Sequence, residues 1–215
     1  MRQKTKWIAS FGLSAAITGM AFAASVGMPE RQAKTLIASC AACHGSKGEG
    51  LEARSAPRLA GLDPTFMEGQ LTHFAKGLRG THPGDTFGSQ MHVIAQSLGP
   101  EERKTAAAHY AKLSAPAAFS TIPTSSGQLQ RGKQAYESCA ACHGADGMGN
   151  ADLGAPRLAG QADWYILTSL KAYQSGARGY DPSDVAGQQM AQSARAVMEK
   201  DLAPVSSYAS SLGRN

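Results

Sequence analysis

The chain has 215 residues, 42% hydrophobic and 17% charged, with a formal net charge of +5. Three of those positive charges, Arg2, Lys4 and Lys6, lie in an N-terminal stretch without any acid, so the remainder carries only +2 and offers no footing for a nucleic-acid partner. There are four cysteines, all inside two copies of one motif, which leaves none for a structural disulfide.

Taken in order, residues 1–23 begin with the three cations, run through the mostly apolar Trp7–Phe22 stretch and reach Ala21-Phe22-Ala23, a small-x-small cleavage pattern. This reads as a secretory signal peptide cut after Ala23. The alternative is a membrane anchor, but Ser10, Gly12, Ser14, Thr18 and Gly19 break a short apolar run. No later stretch is apolar enough to cross a bilayer, so a soluble periplasmic protein is expected.

Beyond the signal, the pattern predicts helices joined by long glycine-rich loops. A first helix over residues 29–43 ends in the cysteine motif, and its counterpart runs from Gln128 to Cys142. The loops Gly45–Gly61 and Gly144–Gly160 are too broken for regular structure. Asp63-Pro64 supplies a cap and an N1 proline for a helix to Lys76, and Asp163 is expected to cap the Trp164–Tyr173 segment. Short helices are expected to begin near Met91 and Met190, and Pro100-Glu101-Glu102 opens a last helix to Leu113. In the second copy, Pro204 predicts a helix that starts or kinks there. Residues 114–126, with Pro116 and Pro123, read as a linker draped over the surface.

The repeated motif is Cys40-Ala41-Ala42-Cys43-His44-Gly45 and Cys139-Ala140-Ala141-Cys142-His143-Gly144. A Cys-x-x-Cys-His unit lets two thiols form thioethers with a haem while the adjoining histidine ligates its iron. A zinc site would merge the two Cys-x-x-Cys pairs, yet they stand 99 residues apart and each brings a histidine. A thioredoxin-type dithiol would need a strand-rich setting, which the sequence lacks. Two covalent c-type haems follow, whose four propionates would take the holoprotein to about −2.

The repeat extends without a gap far beyond the motif. Ala56-Pro57-Arg58-Leu59-Ala60-Gly61 matches Ala155-Pro156-Arg157-Leu158-Ala159-Gly160, Arg79-Gly80 matches Arg178-Gly179, and Gln90-Met91 matches Gln189-Met190. A duplicated domain is therefore expected, 24–113 and 127–215. The second iron ligand has several candidates. In the second copy Met148, Met190 and Met198 compete, and in the first His73, His82, His92 and His109 compete with Met91. Met91 and Met190 are favoured because each falls 51 residues after its first cysteine. His82 and His92 stay as rivals to Met91, and a thioether would raise the potential above that of two imidazoles.

These motifs together resemble the dihaem cytochrome c4 family, over essentially the whole mature chain. The resemblance implies an all-α fold of two tandem class I cytochrome c domains about an approximate twofold axis. It implies His44/Met91 and His143/Met190 ligation, with Pro57 and Pro156 offering carbonyls to the two histidines. By position, Arg79 and Arg178 fall where a cation could pair with a propionate, the alternative being a solvated arginine at a helix end. The implied role is an electron carrier between redox partner proteins, with a dehydrogenase or cytochrome bc complex as donor and a terminal oxidase as acceptor. Peripheral membrane association is compatible with that role. The alternatives are the cytochrome subunit of a sulfur-oxidising dehydrogenase and a dihaem peroxidase.

Overall fold

The computed structural model describes residues 27–114, 117 and 120–212; the expected signal peptide, 1–23, and linker residues 115, 116, 118 and 119 lie outside them. Among the described residues, eight α-helices form two sets of four: α1 Glu30–His44, α2 Pro64–Lys76, α3 Thr86–Gln96 and α4 Pro100–Ala111, then α5 Ser126–His143, α6 Asp163–Ser175, α7 Val185–Arg195 and α8 Glu199–Ser211. Among the described residues there is no strand, only the isolated bridges Leu51 with Ala56 and Asn150 with Ala155. None of the described helices is long and apolar enough to cross a membrane.

Local chemistry sets most of the boundaries. Asp63 accepts from the Phe66 amide at 2.8 Å, ahead of Pro64 at the first helical position, as the sequence predicts. The methionine helices start earlier than expected. Asp85 and Asp184 cap α3 and α7 through the Gly88 and Gly187 amides, both at 2.8 Å, which puts Met91 and Met190 in mid-helix.

Two further expectations are corrected. α8 starts at Glu199, five residues before Pro204, and runs through it. A proline removes one amide bond to the carbonyl four residues earlier, here that of the exposed Lys200, and the buried Leu202, Val205 and Ala209 hold the helix to its core. Asp163 is not the α6 cap but its first residue, after Ala162. Its buried carboxylate accepts from the Trp164 amide at 2.8 Å, from the Thr121 and Ile122 amides at 3.1 Å and from the Ser120 hydroxyl. The end of the linker is therefore tied down, and Ser125 caps α5.

In the first half α2 packs on α3 and α4, and α1 on α4; in the second α6 packs on α7 and α8, and α5 on α8. The α5–α8 crossing is close: a Cβ on Gly132 would stand 2.1 Å from the Pro204 carbonyl oxygen. The second half has a broad buried cluster of Tyr136, Ile166, Leu170, Tyr173, Ala191, Ala194, Leu202, Val205 and Ala209. That of the first is limited to Leu62, Met67, Ala107 and Tyr110.

The halves meet along α2 and α6 and the loops that follow them. The Thr81 and Tyr180 hydroxyls, 99 residues apart and so equivalent in the repeat, bond each other at 2.6 Å. Tyr180 also donates to the Gly77 carbonyl at 2.8 Å. An Arg157 nitrogen lies near Gly61 and an Arg58 nitrogen near Gly160. Contact between equivalent positions is what an approximate twofold axis requires.

Candidate haem sites

The helix period brings Cys40 and Cys43 to one face of α1, and Cys139 and Cys142 to one face of α5, each pair one turn apart. The histidine closes each helix. Gly45 and Gly144 then turn the chain, and the Gly50 and Gly149 amides bond back to the His44 and His143 carbonyls at 2.8 Å. The loop doubles back through the Leu59 and Ala60 amides on Gly48 and the Leu158 and Ala159 amides on Gly147. That return carries the prolines to the imidazoles: His44 Nδ1 bonds the Pro57 carbonyl at 2.9 Å and His143 Nδ1 the Pro156 carbonyl at 2.8 Å.

Both histidines are buried, and burial pushes their pKa values below the ordinary imidazole value, partly offset by those proline bonds. A carbonyl can only accept, so Nδ1 carries the proton and Nε2 is left with its lone pair available to a metal. Cys40 packs against the first core beside Ile37 and Leu59, and Cys139 against the second beside Leu158. None of the four cysteines is paired in a disulfide, and Cys142 is exposed. Among the described residues no three His, Cys, Asp or Glu side chains cluster as a bare-metal site would need.

Met91 and Met190 are half-buried on α3 and α7, and Met190 packs against the second core with Cys139 and Leu158. The competing thioethers turn outward, Met148 being 51% and Met198 58% exposed. The competing histidines have other partners. His92 Nδ1 donates to the Phe74 carbonyl at 2.6 Å, and His82 Nδ1 accepts from the Gly84 amide at 3.0 Å. His73 lies 3.5 Å from Asp184, and His109 stands edge-on to Tyr110.

Arg79 and Arg178 come together between the halves. Each guanidinium covers an aromatic ring of its own half, Phe74 at 4.4 Å and Tyr173 at 4.5 Å. Arg79 donates to Gln70 at 2.7 Å and across to Tyr165 at 3.3 Å, while Arg178 donates to Ser169 at 3.3 Å and across to Gln70 at 3.0 Å. Burial raises the Tyr165 pKa, but the two cations outweigh it and bring the phenol down to about 8. Arg79 Nε is buried without a hydrogen-bond partner. Two cations, one with an unpaired buried nitrogen, suit the carboxylates of an anionic ligand. Paired thiols, free imidazole nitrogens and these cations together fit a haem in each half.

Gln70, Tyr165, Tyr180 and Gln161 of this interface escaped the sequence reading, which weighed residues that the repeat preserves. These positions break it: Tyr165 matches Phe66, Tyr180 matches Thr81 and Gln161 matches Leu62. A polar residue facing a different partner in an otherwise matched register was the available signal.

The cytochrome c family model matches residues 129–213. The chain is 35% identical to a thiosulfate dehydrogenase electron acceptor of Stutzerimonas stutzeri, over 82% of this chain and 80% of that one. It is 30% identical to cytochrome c4 of Azotobacter vinelandii, over 91% and 93%. The solved cytochrome c4 of Acidithiobacillus ferrooxidans superposes with a TM-score of 0.65 at 27% identity, covering 81% of this chain and 99% of that one.

Proposed function

The chain belongs to the cytochrome c4 family and is an electron-carrying c-type cytochrome with two covalently bound haems; from that premise we propose the residues that hold each haem and the partners it serves. Cys40 and Cys43 anchor the first ring and Cys139 and Cys142 the second, with His44 and His143 as the proximal ligands. Met91 and Met190 complete the coordination, and Arg79 and Arg178 meet the propionates. Each haem supplies an iron that takes up and gives back one electron. The carrying observation is the pair of matched bonds from His44 to Pro57 and His143 to Pro156, which fix ring orientation and leave Nε2 free.

Saturation by a histidine and a thioether leaves no open position for substrate, and the histidines near α3 are engaged elsewhere. This favours a carrier over a peroxidase. The protein acts in the periplasm after removal of residues 1–23. Its domains are 24–113 and 127–215. The test is the oxidised protein's weak near-infrared sulfur-to-iron absorption. Met91→Ala and Met190→Ala should each remove about half of it, whereas an unchanged band in Met190→Ala would make Met148 or Met198 the ligand.

A second reading, on partner identity, rests on the 35% identity to a thiosulfate dehydrogenase electron acceptor. A thiosulfate dehydrogenase is then the electron donor. Stopped-flow mixing of the oxidised protein with that enzyme and thiosulfate should reduce it rapidly, and the reduced protein should react slowly with hydrogen peroxide. Rapid, saturable oxidation by peroxide would point to an enzyme instead.

A further inference from the structure

At the interface both polar atoms of the buried Gln161 carboxamide are engaged. Gln161 follows the Ala155–Gly160 loop of the second half and is only 4% exposed. Its Oε1 accepts from the Arg58 amide at 3.0 Å and from the Ala162 amide at 3.0 Å, and its Nε2 donates to the Arg58 carbonyl at 2.9 Å. Two amide donors on one side and a carbonyl on the other fix which way the carboxamide points.

The Arg58 amide and the Pro57 carbonyl belong to one peptide group. The carbonyl end of that group takes the His44 Nδ1 proton at 2.9 Å, while its amide end gives a proton to Gln161. Hydrogen bonds at opposite ends of a peptide strengthen each other: an acceptor on the N–H makes the C=O more negative and a better acceptor in turn. The chain therefore runs from Gln161 through the Pro57–Arg58 peptide to His44, all in low-dielectric surroundings. The second half lacks the converse arrangement. At the position matching Gln161 the first half has Leu62, and among the described residues no side chain bonds the matching Arg157 amide.

We propose that Gln161 is a positioning residue through which the second half sets the reduction potential of the first haem, by polarising the Pro57–Arg58 peptide that holds His44. This rests on His44 being the proximal ligand. A stronger Nδ1–H···O bond makes the imidazole a better electron donor to the iron, which stabilises the oxidised state. Gln161 therefore lowers the first potential and leaves the second alone. It gives two repeated motifs unequal potentials by an uncharged contact.

The test uses the holoprotein and potentiometric titration of both haems, in a Met190→His background that moves the second potential away from the first. Gln161→Leu, the residue the first half itself uses, should raise the first potential, leave the second in place, and shift the His44 Nδ1 resonance in a nitrogen-15 histidine-labelled sample. Gln161→Glu keeps an oxygen acceptor on the Arg58 amide, so it should leave the first potential at or below that of the parent. A purely structural role would move both variants the same way. The proposal is overturned if Gln161→Leu leaves the first potential unchanged, moves both equally, or is matched in sign by Gln161→Glu. Failure of the ligation reading appears separately, as a His44→Ala variant whose first haem keeps the parent's low-spin absorption spectrum.

Discussion

The two halves share their Cys-Ala-Ala-Cys-His-Gly motifs, their Ala-Pro-Arg-Leu-Ala-Gly turns and the aspartate caps of α3 and α7, yet differ in how much protein stands behind them. The second buries Tyr136, Ile166, Leu170, Tyr173, Leu202 and Val205 in one continuous cluster; the first assembles Leu62, Met67, Ala107 and Tyr110. At roughly 25 cal/mol for each Å² of apolar surface removed from water, the second carries the larger share of its stability in its own side chains. The first must draw more from its haem and from the interface. Duplication has preserved the chemistry and let the packing drift apart.

The largest expected effect comes from removing one haem at a time. Cys40→Ala with Cys43→Ala should leave α1–α4 without protection from hydrogen exchange, while Cys139→Ala with Cys142→Ala should leave part of α6 and α8 protected. Equal loss in both, or retention in the first half alone, would break the comparison.

A smaller effect is local to the second half. Gly132 lies where a Cβ would press on the Pro204 carbonyl, at 2.1 Å, whereas the matching position in α1 is already Ala33. Gly132→Ala should therefore destabilise by about 2 kcal/mol, the cost of forcing packed backbones apart outweighing the gain in helix propensity. Denaturant melts followed by the second haem's absorption would measure it. A stabilised variant would mean that α5 and α8 separate readily.

The smallest concerns the linker. Burial raises the Asp163 pKa, but its bonds to Ser120, Thr121, Ile122 and Trp164 outweigh this and hold the carboxyl below its ordinary value. A lowered value means that the stabilisation is present at neutral pH and is lost as pH falls below about 4, through the folded-state value. Asp163→Asn should cost about 1 kcal/mol at pH 7 and little at pH 2, as compared in thermal melts. The first half has Leu62-Asp63-Pro64 at the corresponding turn and no linker to hold, so Asp63→Asn, which keeps a side-chain oxygen for the Phe66 amide, should change stability little.

Most of this architecture was legible because it rests on local rules. Asp63 with Pro64, and the cysteines one turn apart from each other and next to a histidine, specify their geometry within a few residues. The misread elements were decided at longer range. Asp163 has the composition of a cap, but its partners are Ser120, Thr121 and Ile122, some forty residues away. Pro204 interrupts a helix by propensity, yet the apolar face of Leu202, Val205 and Ala209 overrides one missing bond. The starts of α3 and α7 were misplaced because Asp85 and Asp184, six residues upstream of the methionines, were passed over in their favour. The interface was least legible, since Gln161 and Tyr165 act on residues about a hundred positions away.

The anchorage of Ser120, Thr121 and Ile122 on Asp163 also limits how far the halves can part. Between Ala111, where α4 ends, and Ser120 the chain can reach at most about 30 Å even fully extended. Two halves held on so short a tether meet at a very high effective concentration. An interface built from hydroxyl, amide and guanidinium contacts can then stay closed without the affinity that two separate proteins would need. Any opening during a partner encounter becomes a brief excursion, and the contact from Gln161 to the Arg58 peptide re-forms on closing.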